Sequence, residues 1–336
     1  MNDNPELYRG NIIMSRVRLA RNVFGMNFRI TDKTVANEIV KKVYHSLLKV
    51  DTFNLYQISN LDRVTLNAMK ERHLISEALM ENRKFGAVLV NQDKNVSIMV
   101  HEEDILREQC FEKGLRLAET YKKLDRIDDE IAKNLSFAFD DQLGFLTACP
   151  TNLGTGLRAS VMMFLPALTE SGKIGKLLRS VSEVGLTIRG VYGEGSDGEG
   201  AIYQISNEVT LGVKEYDIIK KVEKAVIEIC ELERKETTRL YKGKELKVVD
   251  RAKRAFGILT NAVLLNYNEF LGYIAQVKLG AMLGLLPISD IEEIDDLIIS
   301  VRPAVLQEQY GREMTAIDRD LFRAEVVGKK LLKIKE

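Results

Sequence analysis

The pattern of apolar residues changes about two thirds of the way along this chain of 336 residues. Before residue 214, short apolar runs typical of strands are interspersed with helix-periodic stretches. After residue 214 the pattern indicates helices alone. The sequence therefore predicts an α+β fold, in which a largely antiparallel sheet flanked by helices (residues 1–242) precedes an all-helical C-terminal domain (residues 243–336).

The same pattern places individual elements. Helices are predicted over residues 33–50, about 111–134 and 158–169, the last of them buried. Strands are predicted over residues 85–90, 95–100, 185–192 and 201–206, and the turn residues NQDK join the first two into a hairpin. Breaks between C-terminal helices are expected at Gly272, Gly284, Pro287 and Pro303.

Composition excludes several classes of partner. Lys+Arg and Asp+Glu both number 49, so there is no bulk electrostatic case for a nucleic acid or an anionic membrane. Any anion site must be built from a few clustered arginines. Three widely spaced cysteines, a polar N-terminus and no run of about 20 apolar residues predict a reduced, cytoplasmic protein without a membrane span.

Two glycine-rich runs lack the features of known phosphate loops. The run Gly154–Gly156 is not followed by the lysine of a P-loop. The run Gly193–Gly198 matches GxGxxG, but a strand-like segment rather than a helix follows it. The HRD and DFG signatures of the common protein kinases are also absent from the sequence.

Five arginines lie in loops or at the ends of predicted elements. Arg16 and Arg18 alternate in a strand-like segment and so share a face. Arg107 follows the hairpin, Arg158 is expected to open the helix after the glycine loop, and Arg189 lies inside an apolar strand. Each arginine alone is more simply explained by a surface ion pair. As a set they suggest a cradle for a triphosphate.

Carboxylates and a thiol complete the candidate chemistry. Glu102 and Glu103 follow a predicted strand, and Glu194 lies in a glycine loop. One carboxylate can orient a planar guanidinium while another accepts its proton, although a solvated acidic turn is the alternative for residues 102–104. Cys149 precedes the glycine loop, where a cation can stabilise a thiolate; the alternative is a small buried apolar side chain.

Six segments in order along nearly the whole chain resemble the phosphagen (guanidino) kinase superfamily, and more closely its bacterial protein-arginine kinase branch. They are SRVRLARN (15–22), HLIS (73–76), HEEDILR (101–107), CPTNLGTGLRASVMMFLPAL (149–168), IRGVYGEGSDGEGAIYQISN (188–207) and RDLFRA (319–324). CPTNLGTGLRASV is the most specific of them.

The resemblance implies ATP as phosphoryl donor, with Mg²⁺ carried by its phosphates and no dedicated metal ligands. It implies catalytic roles for Glu103, Glu194 and Cys149. It places the nucleotide on the five arginines and on His73. The implied nucleotide site also includes Ser15, Val17, Ala159, Ser160, Val161, Met162, Gly190, Val191, Tyr192, Gly193 and Glu194.

In RDLFRA, a helix would bring Arg319, Asp320 and Arg323 to one side. The resemblance implies that these three, with Ala324, bind phosphoarginine; ordinary ion pairs on a surface helix are the alternative. The motifs begin at Ser15, so we expect none of the N-terminal helical domain of small-molecule guanidino kinases. The sequence also departs from the branch pattern NEEDH, which here is His101-Glu102-Glu103-Asp104-Ile105.

Together these features predict a protein-arginine kinase that transfers the γ-phosphoryl group of ATP to arginine side chains of other proteins. The resemblance further implies a homodimer formed through the C-terminal domain, an activator protein, and a Clp protease system that degrades the marked proteins. Two alternatives stay open: a kinase for a small guanidino compound, and a non-catalytic protein that binds phosphoarginine.

Overall fold

The structure, a computed structural model, describes residues 8–191, 199–288 and 290–335, with only the backbone of Glu199. Its strands are β1 (Ile12–Arg21), β2 (Phe53–Gln57), β3 (Ala87–Asn91), β4 (Val96–Val100), β5 (Leu106–Lys113), β6 (Phe139–Asp140), β7 (Gly144–Phe145), β8 (Leu157–Phe164), β9 (Leu186–Gly190) and β10 (Ile202–Asn207).

The first seven helices are α1 (Lys33–Leu47), α2 (Arg63–Glu71), α3 (Glu77–Glu81), α4 (Leu117–Ala132), α5 (Pro166–Glu170), α6 (Ile174–Ser182) and α7 (Glu215–Tyr241). Five more follow: α8 (Glu245–Asn261), α9 (Tyr267–Met282), α10 (Ile291–Ser300), α11 (Pro303–Tyr310) and α12 (Ala316–Ile334). No helix in the described ranges has the length and apolar character needed to cross a lipid bilayer.

One antiparallel sheet organises the first two thirds of the chain. Its eight strands have the order β2-β3-β4-β5-β1-β8-β10-β9, and every neighbouring pair is antiparallel. Because side chains alternate across a strand, each strand contributes to both faces of the sheet. The predicted α+β class, a largely antiparallel sheet with a helical C-terminal region, is confirmed.

One face of this sheet is closed by helices α1, α4, α6 and α7. Val17 and Leu19 of β1 pack there against apolar residues of these helices, among them Ile39 and Leu124. Helix α1 begins where the Asp32 carboxylate accepts hydrogen bonds from two backbone N–H groups of its first turn. Burial of these apolar side chains is the main force that holds the layers together.

The opposite face is covered only at its two ends. Helices α2 and α3 pack over strands β3 and β4 through a cluster that includes Leu66 and Met99. The C-terminal helices pack over the far ends of β8 and β10, where Phe164 and Ile202 join their core. The buried ammonium group of Lys278 lies 4.8 Å from the Phe164 ring and pairs with Asp295. The middle of this face stays open between the two helical covers.

Three predictions of secondary structure are wrong in part. Residues 158–169 are not one buried helix, because 157–164 form β8 and only 166–170 form α5. The predicted helix over about 111–134 begins at Leu117, since the strand before it continues to Lys113. Gly272 does not break a helix, as it lies inside α9.

The other predicted elements agree with the structure. The helix at 33–50, the hairpin at 85–100 and the strands at 185–192 and 201–206 are all present within a few residues. Helix α7 ends at Tyr241 and α8 begins at Glu245, so the chain does turn at the expected place. The division into domains 1–242 and 243–336 stays a prediction.

Candidate active site

Strand register brings the predicted arginines together on the open face of the sheet. Across the β1–β8 pair, Arg16 is opposite Ser160 and Arg18 is opposite Arg158. Directly opposed residues of antiparallel strands point to the same face. Arg16, Arg18 and Arg158 therefore lie on one surface, whereas Val17 between the first two points into the closed core.

The other two arginines reach this surface through neighbouring strands. Ala20, on the same face of β1, is opposite Arg107 of β5. Gln204 of β10 is opposite Arg189 of β9, and Gln204 accepts a 2.7 Å hydrogen bond from Nη2 of Arg16. We call the surface formed by Arg16, Arg18, Arg107, Arg158 and Arg189 the arginine face.

The cations of the arginine face repel one another. Burial, and then the positive charges of Arg107 and Arg158, lower the pKa of Arg16 to about 9. Burial and the charges of neighbouring arginines lower the pKa of Arg18 well below its usual range, and that of Arg158 in the same direction. Among the described residues, Nε of Arg18 and Nε of Arg158 are buried without a hydrogen-bond partner. A multiply charged anion bound here would supply both missing partners and opposite charge.

A cavity of about 320 Å³ opens on the arginine face. It brings together four of the five predicted arginines and two of the three predicted catalytic residues. Its lining residues are Arg18, Leu19, Ala20, Glu102, Glu103, Asp104, Arg107, Cys149, Thr151, Asn152, Gly156, Arg158 and Arg189. Cations and carboxylates thus meet in one space, as transfer of a phosphoryl group to a guanidinium requires.

A tight loop between β4 and β5 presents Glu103. The backbone N–H of His101 donates to the carbonyl of Ile105 over 2.7 Å, and His101 has the left-handed φ of 63°. The amide nitrogen of Asn82 donates to the His101 carbonyl, and the Ile105 N–H donates to the side chain of Asn22. The two positions that depart from the branch pattern therefore close this loop through their backbones.

Glu102 fixes the position of Arg107 beside this loop. The Glu102 side chain is 3% exposed, and Oε1 accepts hydrogen bonds from Nη1 of Arg107 (2.7 Å) and from the hydroxyl of Ser76 (2.6 Å). Its second oxygen accepts from the backbone N–H of Glu103 (3.0 Å). With Glu102 occupied in this way, Glu103 is left exposed to the cavity.

Asp104 connects the Glu103 loop to the Cys149 loop. Its Oδ1 accepts from Nδ2 of Asn22 (2.8 Å) and from the backbone N–H of Ala148 (2.6 Å). Partial burial, and then the negative charges of Glu102 and Asp104, raise the pKa of Glu103. A carboxylate with a raised pKa is a stronger proton acceptor, which suits a general base.

The loop that carries Cys149 is shaped by a glycine that no other residue could replace. Gly154 has φ +109°, and a Cβ there would lie 2.3 Å from the carbonyl oxygen of Thr210. The half-buried Cys149 has its Sγ 3.0 Å from the hydroxyl of Thr151. The expectation that Arg158 begins a helix beside this thiol is wrong, since Arg158 lies in β8. No helix dipole acts on Cys149 from that position. Stabilisation of a thiolate there would have to come from the cations of the arginine face.

His73 lies in a second cavity of about 340 Å³, which Arg16 also lines and which shares Arg107 with the first cavity. Its backbone has the left-handed φ of 60°, and its carbonyl accepts from Nε2 of Gln109 over 2.6 Å. Burial, and then the charges of nearby arginines, lower the pKa of His73 well below its usual range. Nε2 of this uncharged ring has no hydrogen-bond partner among the described residues.

Some predicted nucleotide-site residues do not face either cavity. The side chains of Val17, Ala159 and Val161 lie in the closed core, and the buried hydroxyl of Ser15 donates to the carbonyl of Gly114. Met162 packs in the C-terminal core. Ser160 lies on the arginine face. Gly190 is the last residue of β9, and Val191, which follows it, lines the His73 cavity. Tyr192, Gly193 and Glu194 lie outside the described residues.

The residues of RDLFRA lie on helix α12 and line neither cavity. Arg323 is 1% exposed and donates to the carbonyls of Val301 (2.9 Å) and Leu265 (2.8 Å) and to Oδ1 of Asp320 (2.7 Å). Arg319 donates to the carbonyl of Met314 (2.8 Å), and Ala324 is buried in the core of the C-terminal helices. The ion pair of Arg323 with Asp320 is therefore not an ordinary surface pair. The buried guanidinium links helix α12 to the segments that contain Leu265 and Val301.

Sequence reasoning did not recognise which residues hold the site in shape. Glu102, Gln204 and Ser206 contact predicted site residues through their side chains; Ser206 accepts from Nη2 of Arg158 over 3.1 Å. Asp104 accepts from the backbone N–H of Ala148, the neighbour of Cys149. Strand alternation could have found Gln204 and Ser206. Gln204 is opposite Arg189, and Ser206, two positions further along β10, lies on the same face of the strand. Within the described ranges, no three His, Cys, Asp or Glu side chains lie close enough to hold a metal ion.

Comparisons with known proteins agree with this geometry. Residues 35–236 match the family of the ATP:guanido phosphotransferase C-terminal catalytic domain. Residues 245–336 match the protein-arginine kinase McsB C-terminal domain. The chain is 42% identical to a protein-arginine kinase of Caldanaerobacter subterraneus over 96% of its length and 97% of that protein. It is 39% identical to a protein-arginine kinase of Clostridium acetobutylicum, over 95% and 96% of the two chains.

Solved structures share the fold. The duplicated taurocyamine kinase of Schistosoma mansoni, bound to components of a transition-state analogue, has a TM-score of 0.64 and 26% identity. That match covers 76% of this chain and 38% of the duplicated kinase. A lombricine kinase, at 23% identity and a TM-score of 0.59 over 69% of this chain and 67% of its own, shows the fold alone.

Proposed function

The chain belongs to the ATP:guanido phosphotransferase family, within its protein-arginine kinases, and from this premise we propose that the reaction takes place on the arginine face. The enzyme transfers the γ-phosphoryl group of ATP to arginine side chains of proteins. One observation carries the assignment of the site: five arginines share one sheet surface, where their charges lower the pKa values of Arg16, Arg18 and Arg158, and four of the five line one cavity with Glu103 and Cys149.

Arg16, Arg18, Arg107, Arg158 and Arg189 bind the triphosphate. Their charges neutralise the oxygens of the transferred group, which carry most of the charge in the transition state. Mg²⁺ accompanies ATP on its phosphates, where it supplies further positive charge; the described residues offer no carboxylate cage of their own.

Glu103 acts as general base. A guanidinium nitrogen of the acceptor attacks the γ-phosphorus, the N–P bond forms as the bond to the β,γ-bridging oxygen breaks, and ADP leaves. The proton lost from that nitrogen passes to the Glu103 carboxylate. Cys149, which lines the same cavity as Glu103, orients the acceptor together with Glu194.

A direct test is to incubate the enzyme with ATP, Mg²⁺ and casein and to map phosphate by mass spectrometry under conditions that preserve N–P bonds. We expect phosphoarginine in casein, and a loss of about 100-fold or more in rate for Glu103→Gln. Phosphate on added free arginine but not on casein would instead indicate a kinase for small guanidino compounds. Equal background labelling by the wild type and Glu103→Gln would indicate a non-catalytic phosphoarginine-binding protein.

Further parts of the proposal rest on the family resemblance. We infer that RDLFRA binds phosphoarginine, that the C-terminal domain forms a homodimer, and that an activator protein and a Clp protease system act with the enzyme. A cytoplasmic location is supported by the free cysteines Cys110, Cys149 and Cys230. Size-exclusion chromatography with light scattering tests the homodimer directly.

A further inference from the structure

Arg302 is the residue through which the C-terminal helical region reaches the His73 cavity. It immediately precedes α11, is 7% exposed, and lines that cavity together with His73, Arg16 and Arg107. It does not line the cavity that contains Glu103 and Cys149. Arg302 therefore faces the end of the site away from phosphoryl transfer.

The backbone and side chain around Arg302 are held by both parts of the molecule. One terminal nitrogen of the guanidinium donates to the carbonyl of Glu71 at the end of α2, and Nε lies 3.4 Å from the hydroxyl of Tyr267 in α9. The Glu71 carboxylate accepts from the backbone N–H groups of Ala304 (2.8 Å) and Val305 (3.0 Å). These contacts fix where the guanidinium can lie.

The same segment is tied to the RDLFRA helix. Arg323 donates to the carbonyl of Val301, the residue before Arg302, and its guanidinium lies 5.6 Å from the centre of the Tyr267 ring. Arg323 and Tyr267 are thus positioning residues for Arg302, since they hold its backbone and its Nε.

The polar groups of the His73 cavity suit the nucleoside part of ATP. The imidazole is uncharged, because burial and the charges of Arg302, Arg16 and Arg18 oppose its protonation. A neutral ring nitrogen without a partner pairs well with a hydroxyl or a base nitrogen. The arginines that suit phosphates lie mostly in the other cavity, so the nucleoside falls between His73 and Arg302.

We propose that Arg302 binds the nucleoside part of ATP, so that the bound nucleotide bridges the sheet and the C-terminal helical region. The proposal rests on the proposed function, because it assigns one end of the same nucleotide. A guanidinium can donate to ribose hydroxyls and stack on the base. Loading of the site would then tighten the contact of α11 with α2.

The test measures the affinity of the full chain for two probes, MgATP and inorganic tripolyphosphate, by calorimetry. Arg302→Met should weaken MgATP binding about tenfold, the loss of one charge-assisted contact, and leave tripolyphosphate binding within about twofold. The matched control is Arg72→Met. Arg72 forms a 2.6 Å ion pair with Glu308 and so also joins α2 to α11, but it does not line the cavity.

Each other outcome is informative. If Arg302→Met loses equal affinity for both probes, Arg302 binds phosphate or only shapes the fold, and the proposal is overturned. It is also overturned if Arg72→Met loses as much affinity for MgATP as Arg302→Met, because the α2–α11 contact alone would then explain the loss. Unchanged MgATP binding in Arg302→Met also overturns it. If the wild type binds neither probe, the proposed function itself fails.

A measurement on the wild type avoids any variant that fails to fold. MgATP should slow hydrogen exchange of the backbone N–H groups of Ala304 and Val305, whereas tripolyphosphate should not. If MgATP leaves this exchange unchanged while it binds, the nucleotide does not bridge the two regions.

Discussion

The arginine face and the RDLFRA helix use the same side chain in opposite ways. On the arginine face the guanidinium groups repel one another, and Nε of Arg18 and of Arg158 have no partner among the described residues. In helix α12, Arg323 is more deeply buried than these two, at 1% exposed, and it donates to two carbonyls and a carboxylate. The first region has positive charge available to a ligand. In the second, the charge of Arg323 is compensated inside the fold, so a phosphoarginine bound by RDLFRA would meet the partly exposed Arg319 instead.

This difference gives a physical criterion for a binding arginine. An enclosed guanidinium with opposite charge and filled donors stabilises the folded chain. One that is surrounded by like charges costs stability until an anion binds. The face of a strand is enough to decide between a ligand-binding and a fold-stabilising arginine. Arg21 lies on the opposite face of β1 from Arg16 and Arg18, and there it pairs with Asp128 at 2.8 Å.

The largest expected effect comes from removing a charge of the arginine face. Arg18→Met should lower kcat/KM for phosphoryl transfer by about 100- to 1000-fold, since a donor aimed at the transferred group is lost. Its unfolding temperature should stay the same or rise, because repulsion among the remaining arginines falls.

The matched control lies on the same strand. Arg21→Met removes a paired guanidinium that also donates to the Thr155 carbonyl, so it should lower the unfolding temperature. Calorimetric melting and initial rates on the two variants check the contrast. A large fall in stability for Arg18→Met would contradict the distinction between the two classes.

A smaller effect is expected in helix α12. Arg323→Met should lower the free energy of unfolding by about 3 kcal/mol, because it leaves Asp320 and two carbonyls without their donor. Arg319→Met is the control, since it removes one hydrogen bond at a partly exposed site and should cost about 1 kcal/mol. Urea unfolding of both variants measures the difference. Equal costs would mean that Arg323 is not held as tightly as its contacts indicate.

The smallest effect concerns pH. Only the ionised Glu103 accepts a proton, so kcat/KM falls as pH drops through the raised pKa of this carboxyl. The negative charges of Glu102 and Asp104 both raise this pKa, and that of Glu102 has the larger effect. Glu102→Gln removes it, so the acid limb of the pH profile should move to lower pH.

Glu208→Gln provides the comparison for that profile. The charge of Glu208 acts on Arg158 rather than on Glu103, so this variant should leave the acid limb in place. A limb that does not move in Glu102→Gln, or that moves to higher pH, would argue against Glu103 as the base.

The strand 157–164 shows where sequence reasoning stops. Seven of its eight residues are buried, since β8 lies between β1 and β10, packs on the closed core with one face, and has the far end of its other face under the C-terminal helices. A strand of this kind has no alternation of apolar and polar residues and cannot be told from a buried helix by periodicity. For the same reason the sequence could list residues 158–162 together as site residues but could not separate the two faces.

The sequence by itself determined the α+β class, the helical C-terminal region and the residue types of the site, because these depend on local periodicity and on motifs read along the chain. It also indicated that Arg16 and Arg18 share a face, since strand alternation is local. Only the tertiary structure decided that Arg107, Arg158 and Arg189 join them, that Arg21 and Arg323 do not, and that Arg302 lines the His73 cavity. Register between strands and the docking of helices depend on contacts between residues far apart in the chain, which no local pattern records.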